Sequence, residues 1–209
     1  IESMSKSKKN VIDPEEIIKS YGSDSARWFM LSDSPPDRDI NWSDSGIHGS
    51  WRFCQKIWST ITSNLSILSD KSIILNGEDK SENARMLLQN THQSLDAVTK
   101  SIENFQMNVG VAKIYELINH ISKFKIFVEN DKKALKASLI ILIRIIEPMV
   151  PHLAEECWNL CGNSTSLTSE PWPDVNEKYL VRETVKIVIQ VNGKRRAEVE
   201  TNVEASEEE

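Results

Sequence analysis

The sequence predicts a mainly α protein: a helical bundle followed by a short C-terminal β-hairpin. Apolar residues recur at steps of three and four through long stretches between Ser43 and Leu160. Only 7 glycines are spread over 209 residues, and none forms a dinucleotide-binding or P-loop pattern. The hairpin rests on two alternating segments, Thr184 to Val191 and Lys194 to Val199, on either side of Asn192-Gly193, a dipeptide that tolerates the positive φ values of a tight turn.

In order along the chain, Asp13-Pro14-Glu15-Glu16 is a helix start, with Asp13 as N-cap, Pro14 at the first helical position and acids in the first turn. That helix should reach Tyr21 and stop at Gly22. A second short helix is expected from Asp24 to Leu31, broken by Pro35-Pro36, with an irregular acidic loop to Trp42. Ser43 then caps a long helix expected to run to Leu68, with Trp51, Cys54, Ile57, Trp58, Ile61, Leu65 and Leu68 on one stripe. After a loop from Lys71 to Lys80 come helices expected from Glu82 to Phe105 and from Asn108 to Val128. Asp131 to Ile146 is apolar nearly all round in its second half, which makes it the central helix. Pro148 and Pro151 end it, and a last helix reaches Leu160 before Gly162. Long amphipathic helices joined by short loops make a bundle.

Composition bounds the class. Hydrophobic residues at 39% and charged residues at 27% are ordinary for a globular domain. A net charge of −6 argues against nonspecific nucleic-acid binding, although recognition depends on local patches. Three cysteines, an odd number, with no leader pattern suggest reduced thiols in a cytoplasmic protein. The longest apolar stretch, around Ser138 to Ile146, is interrupted by Arg144 and too short to span a bilayer.

The segment Met4-Ser5-Lys6-Ser7-Lys8-Lys9-Asn10 carries the most chemistry. It places lysines and small hydroxyls just before a helix N-terminus. Such a loop can hold a polyphosphate, because ammonium and hydroxyl groups meet negative charge where it builds up. Its plain alternative is a solvated, lysine-rich surface loop.

Met4 to Ser7 resembles the MSKS core of the signature loop of class I aminoacyl-tRNA synthetases. Ser34-Pro35-Pro36-Asp37-Arg38-Asp39-Ile40-Asn41-Trp42-Ser43-Asp44-Ser45-Gly46 is similar to the segment that follows it in leucyl-tRNA synthetases of bacterial or organellar type. Glu147 to Trp158, with Pro148-Met149-Val150-Pro151-His152, resembles a late helix of that family's anticodon-binding-type bundle, and Val185 to Val199 the opening of its small C-terminal domain. The chain departs from the pattern at Ser3, where the family has lysine.

This resemblance implies the C-terminal fragment of a leucine–tRNA ligase. Residues 1–42 would be the signature loop and linking helices at the end of the catalytic region, 43–165 the anticodon-binding-type bundle, and 166–209 a linker and the truncated start of the last domain. No His-x-Gly-His pattern is present, so the adenylate-forming fold and leucine pocket are expected upstream and the isolated fragment inactive. By the same resemblance, Met4, Ser5, Lys6 and Ser7 bind ATP, and Lys6 stabilises the pentavalent transition state of adenylate formation while Mg²⁺ bridges the phosphates. Lys8 or Lys9 substitutes for the missing cation at position 3, or is simply solvated. The expected partner is tRNA(Leu), contacted on its body through phosphates by Lys194, Arg195 and Arg196, with a second lysine cluster at Lys123, Lys125, Lys132, Lys133 and Lys136. The alternatives are a sister synthetase for valine, isoleucine or methionine, and a helical protein–protein scaffold.

Two further constellations are read as packing. His152, Cys157 and Cys161 lack the paired spacing and fourth ligand of a zinc site, so no metal is expected. Trp28, Trp51, Trp58 and Trp158 lie on apolar stripes and are expected in the core rather than as base platforms.

Overall fold

The computed structural model describes residues 3–5, 7–74, 81–181, 184–191 and 194–202. Helix α1 (Pro14–Tyr21) begins as the sequence requires: the Asp13 side chain accepts the Glu15 N–H at 2.9 Å. Gly22 ends it at φ +83°, a backbone conformation that costs glycine little, and gives its N–H to Ile18 O at 2.9 Å. Helix α2 (Ser23–Asp33) follows at once and sinks Trp28 and Phe29 into the interior.

Ser43 caps α3 (Asp44–Thr62), accepting the Gly46 N–H at 3.1 Å. Gly46 has to be small: a Cβ there would lie 2.5 Å from the Phe29 ring. The long helix expected to reach Leu68 stops at Thr62, and Leu65–Leu68 forms a separate turn, α4. At the break the Asn64 side chain takes the carbonyl its own N–H would have used: Nδ2 donates to Thr60 O at 2.8 Å while the N–H turns to Ile61 O at 3.0 Å. Thr60, Thr62 and Ser63 donate back to Lys56 O, Trp58 O and Thr60 O, at 2.8 to 3.2 Å.

The main layer is α5 (Glu82–Glu103), α6 (Met107–Lys123) and α7 (Glu129–Ile146), with α5 packed against both others. Leu95, Val98, Ile114, Leu117, Ile118, Leu139, Leu142, Ile143 and Ile145 are fully buried between them. Each such side chain contributes roughly 1.5–3 kcal/mol by leaving water. The density of buried residues along α7 matches its expected central place. Two ends differ from expectation. Phe105 lies past α5 at φ +55° and is 72% exposed, so it leaves the apolar stripe. Helix α6 stops at Lys123 because Phe124 turns extended (φ −68°, ψ 134°), and Val128 becomes the N-cap of α7 instead of a residue of α6.

Pro151 opens α8 (Pro151–Leu160), and Gly162 at φ +86° follows its end. The next segment runs back along α5: Trp172 Nε1 donates to Thr99 Oγ1 at 2.9 Å, Asn176 N–H to His92 Nδ1 at 3.2 Å, and His92 stacks on Tyr179 at 5.0 Å. Strands β1 (Thr184–Val191) and β2 (Lys194–Asn202) pair antiparallel, with an irregularity between Ile189 and Gln190. The expected Asn192-Gly193 turn lies outside the described residues.

The tryptophans divide. Trp28 is fully buried and donates Nε1 to Tyr115 Oη at 3.1 Å; Trp158 is buried and donates to Thr165 O at 3.1 Å. Trp58 packs half-buried on the core. Trp51, expected in the core, instead lies half-buried at its edge, stacked on the exposed His48 ring at 5.6 Å. Its stripe position turns outward because α3 packs through Ile47, Phe53, Cys54, Ile57 and Ile61.

Candidate functional site

The loop before α1 is closed by one carboxamide. Asn10 Oδ1 accepts the Ser5 N–H at 2.8 Å, and Asn10 Nδ2 donates to Ser3 O at 3.3 Å. Within the loop, the Lys8 N–H donates to Ser5 O at 3.2 Å, and the Ser5 and Ser7 hydroxyls lie 3.2 Å apart. Lys9 takes φ +52°, a left-handed bend that a lysine adopts at some cost. Met4, Ser7, Lys8 and Lys9 are exposed. The result is a short turn with two hydroxyls together, followed by the exposed Lys8 and Lys9, ahead of the α1 N-terminus. Lys6 lies outside the described residues. Asn10 was not singled out from the sequence, because nothing in its residue type shows that it closes a loop five residues long.

The helices after the loop are tied to the bundle by contacts that sequence reasoning missed altogether. Asp24 Oδ2 accepts the Leu153 N–H at 2.7 Å, and Asp24 Oδ1 meets His152 Nδ1 at 2.8 Å. Arg27 donates from Nη2 to Pro148 O at 2.9 Å and from Nε to Met149 O at 3.2 Å. His152 is therefore occupied by a carboxylate. Cys157 is buried, its thiol pushed up to about 12 by desolvation, and burial also raises Cys161. Both stay protonated near neutral pH and pack as small apolar groups.

The expected lysine cluster separates by environment. Lys123 and Lys125 are exposed, and Lys132 pairs with Glu129 at 2.9 Å. Lys136 leaves the cluster: it is buried, and its ammonium donates to Asp70 O at 2.6 Å. A charge used to satisfy the carbonyls of the α4–α5 connection cannot also face a phosphate. At the hairpin, Arg196 is exposed, while the side chains of Lys194 and Arg195 lie outside the described ones. None of the described helices is long and apolar enough to cross a membrane.

The family profile described as the anticodon-binding domain of tRNA ligase matches residues 84–209. The chain belongs to that family. The profile of class I tRNA synthetases (I, L, M and V) matches residues 2–43, which take in the loop, α1 and α2. The chain is 45% identical over 199 residues to the leucine–tRNA ligase of Parvibaculum lavamentivorans, covering 95% of this chain and 23% of that protein. The leucine–tRNA ligase of Rhizobium etli is 41% identical over 213 residues, covering 99% and 24%. This member of the tRNA-ligase family thus spans about a quarter of the length of those relatives. Among solved structures, the ternary LeuRS–tRNA–LeuAMS complex of Agrobacterium radiobacter K84 agnB2 matches with a TM-score of 0.81 at 29% identity, over 98% of this chain and 26% of that one.

Proposed function

We propose that the chain works as part of a leucine–tRNA ligase, which activates leucine with ATP and transfers it to tRNA(Leu). The observation that carries this reading is the turn closed by Asn10 that sets the Ser5 and Ser7 hydroxyls together ahead of α1, within a segment that the class I profile matches and a chain similar throughout to leucine–tRNA ligases. In this reading Met4, Ser5, Lys6 and Ser7 hold the ATP phosphates, and Lys6 opposes the charge that grows on the phosphate under attack. Catalysis by such a loop is electrostatic and positional, with no protein nucleophile. Between Met4 and Asn10 there is no carboxylate. The loop's own contribution is therefore ammonium and hydroxyl groups, without the carboxylate through which proteins usually hold Mg²⁺. Residues 43–165 serve as the tRNA-facing bundle, and 166–209 lead into a further domain. The basic residues Lys194, Arg195 and Arg196 meet phosphates of the tRNA body, without base readout.

The test is amino-acid-dependent ATP–pyrophosphate exchange by the intact protein, with leucine, valine, isoleucine and methionine compared. Leucine should dominate. Preference for any of the other three moves the chain to a sister enzyme, and no exchange with any of them leaves the scaffold alternative.

A further inference from the structure

Helix α8 does not cap itself. Its N-cap residue is Val150, which makes no side-chain cap hydrogen bond. The N–H of Leu153, in the first turn, has no partner within the helix, and it is met by Asp24 Oδ2 at 2.7 Å from 129 residues away. One turn further along α2, Arg27 acts on the other side of the same corner, with Pro148 O at 2.9 Å and Met149 O at 3.2 Å just past the end of α7. A carboxylate at a helix start and a guanidinium at a helix end both match the sign of the helix dipoles. The next residue, Trp28, is fully buried and bonded to Tyr115 on α6. Helix α2 is therefore held to the bundle at three chemically distinct points. Helix α1 packs on α2 and α3, and the signature loop leads directly into α1.

We infer that Asp24, Arg27 and His152 are positioning residues for the signature loop: they fix where α1–α2, and with them Met4 to Asn10, stand relative to the tRNA-facing bundle. This rests on the ligase reading above. Rigid helices joined by satisfied polar contacts can carry such a geometric constraint, and a small misplacement of a phosphate-binding loop is costly in rate. The Asp24 side chain is 12% exposed and the His152 side chain 76% exposed. His152 can thus be replaced without opening the core, whereas Asp24 is the anchor.

The experiment uses the intact ligase carrying Asp24→Asn, Arg27→Met, Arg27→Lys or His152→Gln. For each, kcat and KM for ATP are measured in leucine-dependent pyrophosphate exchange, KM for tRNA(Leu) in aminoacylation, and the melting temperature alongside. Asp24→Asn and Arg27→Met should lower kcat/KM for ATP by about tenfold or more, with KM for tRNA within about twofold of wild type. Arg27→Lys should recover part of the loss. His152→Gln should keep the wild-type melting temperature and show a smaller loss of the same kind. Wild-type kinetic constants with only a lowered melting temperature would reduce these contacts to structural glue and overturn the inference. Should Asp24→Asn fail to fold, wild-type ATP kinetics in both His152→Gln and Arg27→Met overturn it equally. Loss of leucine-dependent exchange in the wild-type protein itself would instead remove the ligase reading and the inference with it.

Discussion

Ser81 and Asp131 share one hydrogen bond that caps two helices at once. Ser81 Oγ accepts the Ala84 N–H at the start of α5 and donates to Asp131 Oδ1 at 2.7 Å. The other oxygen of Asp131 accepts the N–H groups of Phe127 and Val128, at 2.9 and 3.3 Å, where the chain turns into α7. Asp131 is fully buried.

This arrangement makes acid stability testable. Burial opposes ionisation of Asp131, but hydrogen bonds from Ser81, the Phe127 N–H, Asn83 and the Val128 N–H outweigh it and hold the carboxyl below its ordinary value of 3.8. A depressed folded-state pKa gives stability that is present above 3.8 and lost as pH falls through the lower folded value. Asp131→Ala should destabilise the protein by about 1–3 kcal/mol at pH 7, because buried donors lose their acceptor. The difference from wild type should shrink as denaturation is repeated at successively lower pH below 3.8. A difference that does not change with pH would show that the charge is irrelevant.

A second prediction concerns Gly110 on α6. A Cβ there would lie 2.3 Å from Ser101 Oγ and 3.3 Å from Met149 Cε. Ser101 is itself buried and bonded to Val98 O at 2.8 Å, so Gly110→Ala should cost about 1–3 kcal/mol by overpacking. Adding Ser101→Ala removes the clashing oxygen and should restore much of the loss. Gly49→Ala on α3 has open space around the new methyl and should stabilise by up to about 1 kcal/mol. Equal effects at the two glycines in urea denaturation would contradict the packing.

Catalysis gives the third. In the intact enzyme, Lys6→Ala should cut leucine-dependent exchange by about 10²-fold or more, since a lost charge-assisted contact to a transition state is worth roughly 3 kcal/mol. Lys8→Ala and Lys9→Ala should do much less. Near-normal exchange in the Lys6 variant removes it from the active site.

The lysines supply the fourth. Lys136→Met should lower the melting temperature, because it abandons the carbonyls of Asp70 and Ile73, yet leave the salt dependence of tRNA(Leu) binding unchanged. Neutralising Lys194, Arg195 and Arg196 together should flatten the slope of log affinity against log salt by up to about three units if all three reach phosphates. An unchanged slope in the triple variant would take the hairpin off the tRNA.

The bundle was legible because its signals are local. Caps at Asp13 and Ser43, stops at Gly22 and Gly162, and apolar steps of three and four each depend on residues within a turn or two. Family resemblance in the loop and in the Ser34 to Gly46 segment was equally local. The misjudged ends show the limit of the same reasoning. Leu65, Leu68 and Val128 continue an apolar stripe in the sequence, but the Asn64 side chain took the Thr60 carbonyl from its own N–H at the end of α3, and the Asp131 cap claimed Val128 for α7.

What the sequence alone determined is therefore the class of fold and the approximate place of each long helix, which follow from neighbours in the chain. Only the tertiary structure decided the jobs of Asp24, Arg27 and Lys136. Each looks in sequence like an ordinary charged residue on a helix. Each instead satisfies backbone groups 63 to 129 residues away, and a buried N–H or carbonyl that lacks a local partner takes one from whichever element folding brings beside it.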